Sequence, residues 1–232
     1  VDDTPVWKAV HDVTNEAGIL EDYVMDGKVR PAQVGLLLSS VDELIGGVSN
    51  QNLAAHNNER KAIYYALRHS QVPVDFLTED DVIDGLANNY KLIYVTQRWM
   101  HSKALKALRK WTEKGGVAIA LAGGGFLNEY NRANSEANAF YGVKTQTLTE
   151  DPNLDKWVPR KDPKNPNSDR FTLLTKQDLP LYVPFDKVTW GKDEEKAAAG
   201  VMVWKQSFVP SDGKVVGAYK DGKPAIIEKQ HG

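Results

Sequence analysis

Four short apolar runs separated by helical stretches constrain this chain more than any other feature. Val34–Leu38 (Val-Gly-Leu-Leu-Leu) is continuously apolar, as a strand buried on both faces must be. Residues 72–77 form a second strand, entered through Pro73 near its start, where proline is tolerated, and residues 92–95 and 117–121 form the third and fourth. Between the runs the period becomes helical. Residues 52–69 place Leu53, Ile63, Tyr64 and Leu67 on one stripe, and residues 81–87 form a short helical turn. Ser102 is placed to cap a helix whose Ala104, Leu105, Leu108 and Trp111 share a face, and Lys114 before Gly115-Gly116 ends it. Strands alternating with helices through short connections predict an α/β fold: a doubly wound parallel sheet with helices on both faces.

The flanks read differently. Thr4 as N-cap, Pro5 in the first helical position and Val6, Val10, Val13 and Ala17 at helical spacing predict a helix that Gly18 ends, and Asp26-Gly27 marks a turn. After the fourth strand, Gly123-Gly124-Gly125 turns the chain sharply and residues 135–141 fit one more short helix. Residues 144–172, rich in Asp, Asn, Pro and Lys, read as a long exposed excursion. Short β-like pieces follow at 181–183, 187–190, 201–204, 215–219 and 225–227, with Asp212-Gly213 and Asp221-Gly222 as hairpin turns. The expected organisation is a helix and connector over 1–33, an α/β core over 34–143, and an excursion with a C-terminal antiparallel β extension over 144–232, packed on the same domain.

Composition narrows the function. With 29 basic and 31 acidic residues and no basic block, the chain lacks the clustered charge of a nucleic-acid surface. No apolar run approaches the roughly 20 residues of a membrane span, and no secretory signal pattern is present. Val1 at the start and the absence of a terminating pattern at Gly232 suggest a piece trimmed from a larger protein, whose compartment stays open. The lack of cysteine removes disulfides, thiolate metal sites and a cysteine nucleophile.

In an open parallel sheet, ligands bind beyond the carboxyl ends of the strands. Those ends carry Ser39 and Ser40, Glu79 and Asp80, the 96–101 stretch, and the glycine turn with Glu129. The candidate binding cluster is therefore Ser39, Ser40, Arg98, Trp99, His101, Gly124 and Glu129. A Ser-His-acid triad needs its serine on the strained strand-to-helix turn, and the turn that fits holds only Ala122 and glycines. Hydroxyls and an imidazole that hydrogen-bond loop backbone are the expected roles. The glycine triplet lacks both the Lys-Ser/Thr ending of a phosphate loop and the GxGxxG spacing, so no cofactor is expected. The histidines form no HxxxH or HxH pair; Asp151, Asn153, Asp155 and Asp162 imitate a calcium loop, but Lys156 stands where glycine is needed, so no metal is expected. Trp111 belongs to the core stripe, whereas Trp99 and Trp157 fall in predicted loops, as surface contacts for a sugar or as buried anchors.

Glu59-Arg60 with Tyr65-Ala66-Leu67, then Val72 to Phe76, Tyr90 to Ile93, Leu108 to Gly116 and Phe140 to Val143 follow a running pattern that resembles the trimerisation domain of family 42 beta-galactosidases. More broadly the chain is similar to class I glutamine amidotransferase-like domains of bacterial glycoside hydrolases, and its ending from Asp221 to Gly232 looks like their closing hairpin. The resemblance implies a flavodoxin-like fold. Amidotransferases of this type carry a cysteine on the turn after the strand that residues 117–121 match, and here that turn is glycine. The resemblance implies a non-catalytic accessory or oligomerisation domain of a periplasmic or secreted parent. Its partner would be a neighbouring catalytic domain or another copy of itself, with carbohydrate a further partner. The alternative is a sugar-binding or hydrolytic site at the strand ends.

Overall fold

The computed structural model describes residues 4–48, 53–151, 184–192 and 196–231. The chain divides into two units, Val1–Pro31 and Ala32–Gly232.

The first unit is helix α1, Thr4–Val24, of 21 residues, none of them buried. It does not stop at Gly18 as expected. A glycine inside a helix costs about 0.5–1 kcal/mol against alanine, and the good helix formers Leu20 and Glu21 carry the ladder past it. Lys8 pairs with Asp12 at 2.9 Å along the surface. The chain leaves the helix where the Met25 and Gly27 amides bond to the Glu21 and Val24 carbonyls. Among the described residues no helix is long and apolar enough to cross a membrane.

The second unit opens with the parallel sheet. Strand β1 (Val34–Leu38) is followed by α2 (Ser40–Val48) and α3 (Leu53–His69), then β2 (Val74–Thr78), α4 (Glu79–Ile83), a 3-10 turn over Leu86–Asn89, β3 (Leu92–Val95), α5 (Ser102–Thr112) and β4 (Val117–Ala120). The strand order is β2-β1-β3-β4, all parallel, with Leu36 beside both Phe76 and Tyr94, and Tyr94 beside Ile119. This is a flavodoxin-like α/β sheet, and its order reverses between β1 and β3. Strand β2 begins after Pro73, which has no N–H for the ladder.

Side chains alternate across the sheet, so Leu37, Leu77, Ile93 and Val95 share one face with Ala118 and Ala120. That face forms the main core with Val82 of α4 and Ala104, Leu105, Leu108 and Trp111 of α5, the stripe anticipated from the sequence. Helix α3 lies toward the other face, where Tyr64 stacks on Phe76 with ring centroids 5.4 Å apart.

Helix α2 went unread in the sequence, although Ser39-x-x-Asp42 is a capping signature. The Ser39 hydroxyl accepts the Asp42 N–H at 3.0 Å. At α5 the expected cap is displaced by one residue. His101 takes that position, its Nδ1 accepting the Lys103 N–H at 3.1 Å.

Beyond β4 come α6 (Ala137–Tyr141) and β5 (Val143–Glu150), then β6 (Asp186–Trp190), β7 (Ala197–Val201), β8 (Trp204–Pro210), β9 (Lys214–Tyr219) and β10 (Pro224–Glu228). The extension is antiparallel, as expected, in a β10-β9-β6-β7 sheet and a β5-β8 ribbon. Three local expectations are corrected. Residues 143–150 are a strand rather than the start of an excursion, because Val143, Thr145, Thr147 and Thr149 set β-branched side chains at every second position. The 201–204 piece straddles a break between β7 and β8. Asp212-Gly213 joins strands of different sheets, and the Gly213 amide bonds back to the Gly142 carbonyl at 3.0 Å. Asp221-Gly222 is the hairpin turn expected, with Gly222 at φ +79° between the paired β9 and β10. Residues 152–172 of the expected excursion and the 181–183 piece lie outside the described residues.

Candidate functional site

At the switch point the ends of β1 and β3 are tied together by Asp42, a fully buried carboxylate on α2. Its Oδ1 accepts the backbone N–H groups of Arg98 at 2.9 Å and Trp99 at 3.1 Å. Ser39, Arg98 and Trp99 are thus joined through a residue that the sequence reading did not single out. Trp99 is a buried anchor, 1% exposed, with its indole Nε1 donating to Asn131 at 2.7 Å. The Arg98 guanidinium lies over that ring, 5.1 Å from its centroid.

A second chain of polar contacts starts at Ser40. Its hydroxyl donates to Glu79 Oε2 at 3.4 Å, and Glu79 Oε1 accepts the His101 N–H at 2.5 Å. His101 Nε2 stands 3.8 Å from Glu129 Oε1. Glu129 Oε2 accepts both the N–H and the hydroxyl of Ser102 at 2.9 Å. Burial opposes charge on Glu129, but hydrogen bonds from its own and the Ser102 backbone and from the Ser102 hydroxyl, with His101 nearby, hold its carboxyl below the ordinary range.

The wiring decides what this cluster can do. Among the described residues, the Ser40 and Ser102 hydroxyls both donate to carboxylates rather than to an imidazole. His101 Nδ1 accepts a helix amide, so the neutral ring keeps its proton on Nε2, on the side of Glu129. A general base for a serine needs a free ring nitrogen on the hydroxyl. Here the imidazole caps a helix.

The glycine turn is likewise committed. Gly123, Gly124 and Gly125 all have positive φ, at +104°, +39° and +65°. The Gly123 amide donates to Gln206 Oε1 at 2.9 Å and the Gly125 amide to the Gln97 carbonyl at 2.9 Å. The Gly124 carbonyl accepts the Tyr141 hydroxyl at 2.7 Å. Two of the three amides that a strained turn offers to an oxyanion therefore bond within the fold.

Beside this region, Arg60 of α3 is buried, with Nε on Thr96 Oγ1 at 3.4 Å and Nη1 on Glu43 at 3.3 Å. Among the described residues, Asp42 Oδ2, Arg60 Nη2 and Gln97 Nε2 are buried without a hydrogen-bond partner. On the same helix, burial pushes the Glu59 carboxyl up to about 7. A groove of about 320 Å³ runs between α3 and the strands, lined by Arg60, Lys61, Tyr64 and Tyr65 with Leu38 and Phe76. It shares none of the seven residues predicted from the sequence. Among the described residues no three His, Asp or Glu side chains gather to hold a metal. Of the calcium-like run, Asp151 is buried, and Asn153, Asp155 and Asp162 lie outside the described residues with Trp157.

No family model and no curated protein matches the sequence. Solved structures do match the fold. A GH42 beta-galactosidase from G. stearothermophilus superposes at TM-score 0.62 with 16% identity, covering 100% of this chain and 30% of that one. The beta-galactosidase of Bacillus circulans sp. alkalophilus gives 0.63 at 13% identity, over 98% of this chain and 31% of its own. That of the psychrophilic Marinomonas ef1 gives 0.60 at 12%, over 97% and 29%. The fold is that of one part of the GH42 beta-galactosidases. It is the architecture that the sequence resemblance implied, and at these identities the fold is what the proteins share. The chain spans about 30% of the length of the beta-galactosidases it matches.

Proposed function

We propose that this chain is a non-catalytic accessory and assembly domain of a larger, glycoside hydrolase-like protein. The observation that carries the reading is coverage: 97–100% of the chain matches, yet it accounts for only 29–31% of three GH42-like beta-galactosidases. The strand-end wiring supports it, since the hydroxyls, His101 and Glu129 are engaged with backbone and with one another. Such a domain acts through contact, with a neighbouring domain of its parent or with another copy of itself.

The test is turnover of aryl glycosides and aryl esters by the purified chain, with light scattering across a concentration series alongside. No turnover is expected. Turnover that disappears in Ser40→Ala or His101→Ala overturns the proposal.

A second reading, a small-molecule site at the strand ends, is favoured by the three buried polar atoms of Asp42, Arg60 and Gln97 that lack partners. Saturable quenching of tryptophan fluorescence by galactose, lost in Gln97→Leu, would support it over pure assembly.

A further inference from the structure

In an open parallel sheet the crevice beyond the strand carboxyl ends, at the switch point, is where ligands lodge. Within the Ala32–Gly232 unit, the groove of about 320 Å³ reaches that place. Leu38 in its lining is the last residue of β1, and Arg60 extends from α3 to Thr96, just past β3. The volume is at the small end of the range of about 300–1,000 Å³ that ligand sites occupy. It accommodates one ring rather than a chain of them.

The lining sorts by chemistry. Its apolar part is aromatic. Tyr64 stacks on Phe76 with ring planes 22° apart, while Phe76 and Tyr65 stay 49% and 56% exposed. Half-exposed aromatic rings side by side in a concavity offer stacking surface to another flat ring or to the apolar face of a pyranose.

The polar part is rich in donors. Arg60 is 6% exposed and places Nε on Thr96 and Nη1 on Glu43, which leaves Nη2 without a partner among the described residues. A buried donor in that state is explained by an acceptor that the protein itself does not supply. Lys61 is exposed and makes no ion pair among the described residues. No carboxylate lines the groove. Because Glu43 neutralises Arg60, the uncompensated charge is the single ammonium of Lys61. A lone ammonium without a free guanidinium fork suits one carboxylate better than a phosphate, whose oxygens call for several charge-assisted donors.

We propose that this groove binds a small six-membered-ring acid, with the ring against Tyr64, Tyr65 and Phe76, the carboxylate on Lys61 and a second ligand oxygen at Arg60. A sugar acid and an aromatic acid share this chemistry. The inference goes beyond the assembly role, since it requires neither turnover nor association. It also differs from the galactose reading, which centres on Gln97 and needs no anion.

The experiment titrates the full chain with galacturonate, 4-hydroxybenzoate and galactose, followed by saturation-transfer NMR and calorimetry. At least one acid saturates and binds at least tenfold tighter than galactose. Galacturonate alone identifies the ring as a sugar, and 4-hydroxybenzoate alone as an aromatic. Lys61→Met weakens the acid about tenfold or more, the scale of a lost hydrogen bond to a charged group, and Lys61→Arg restores most of it. Tyr65→Ala weakens it to a similar degree. Both replace exposed side chains, so far-UV circular dichroism and melting stay unchanged. Should Tyr65→Ala misfold, Tyr65→Leu keeps the bulk and removes the ring.

Failure of both acids to saturate overturns the proposal, as does galactose binding as tightly as the acids. Affinity indifferent to Lys61→Met and Tyr65→Ala places the ligand elsewhere and overturns the site. Association of copies without acid binding overturns the site and leaves the assembly reading standing, whereas acid binding by a strictly monomeric chain supports the site and counts against self-assembly.

Discussion

The two faces of the parallel sheet come from the same four strands, in alternate residues, yet their environments differ. On one face Leu37, Leu77, Ile93 and Val95 are between 0 and 2% exposed. On the other, Leu36 is fully buried and Val74 nearly so, but Phe76 is 49% and Val117 52% exposed. Composition separates them only in part: the first row carries Leu37, Leu77, Ile93 and Val95 with the small Ala118 and Ala120, the second Leu36, Phe76, Leu92, Tyr94, Val117 and Ile119. Topology does the rest. The connections from β2 to β3 and from β3 to β4 supply α4 and α5 to the first face, while the connection from β1 to β2 supplies α3 to the second. A strand's apolar row states a demand for cover, and the connecting segments decide whether the same chain meets it.

The largest expected effect lies in the covered face. Leu108→Ala removes a fully buried α5 side chain from the main core. It should destabilise the fold by about 3 kcal/mol, through lost transfer energy and the cavity left behind. Urea unfolding should show a lower midpoint with an unchanged slope. A loss under 1 kcal/mol would mean that this face is no better packed than the other, and the contrast would collapse.

Next comes Glu79, 4% exposed, between the core and the strand ends. Glu79→Ala leaves the His101 N–H and the Ser40 hydroxyl without their carboxylate, at a cost of about 1–3 kcal/mol. Glu79→Gln keeps an acceptor and should recover at least half of that loss in the same melts. Equal losses for both would show that the charge, rather than the acceptor, holds the loop.

A smaller effect sits at the start of α4. Thr78 and Asp81 form a reciprocal capping box, the Thr78 N–H donating to Asp81 Oδ2 at 2.7 Å. Hydrogen bonds from the Thr78 backbone and then its side chain hold the Asp81 carboxyl below its ordinary value. A depressed carboxyl stabilises the fold above its unfolded pKa, near 3.9, and loses that contribution as pH falls through the folded value. Thr78→Ala should cost about 1 kcal/mol at neutral pH. The gap between variant and unmodified chain should narrow as pH drops below about 4, and a constant gap from pH 7 to pH 3 would detach Asp81 from the cap.

Much of the covered face was legible in the sequence, for local reasons. Residues 34–38 and 92–95 stand out as apolar runs, the α5 stripe repeats at helical spacing, and three consecutive glycines announce a turn of positive φ. What escaped depends on partners distant in the chain. Asp42 is buried because it accepts the amides of Arg98 and Trp99, 56 and 57 residues away, and no local pattern marks a carboxylate for that. Helix α2 was hidden by Gly46-Gly47, which lower helix propensity although Ser39 caps the first turn. Strand β5 was hidden because Lys144 and Gln146 sit between its threonines on an exposed ribbon. At the site, residue types were read correctly as polar strand-end groups. Their wiring into caps and carboxylate contacts, rather than toward a common ligand atom, is a matter of geometry.

The smallest expected effect on folding belongs to the uncovered face. Val117→Glu, measured by urea unfolding at a chain concentration low enough to keep copies apart, should change stability by less than about 0.5 kcal/mol, as a surface substitution does. Val117 begins an edge strand and is already 52% exposed. Folding stability is thus expected to depend strongly on Leu108 and hardly at all on Val117. A loss of 2 kcal/mol or more in the isolated chain would show that Val117 is covered within its own copy. The sheet would then be closed on both sides, and the difference between its faces would be one of degree.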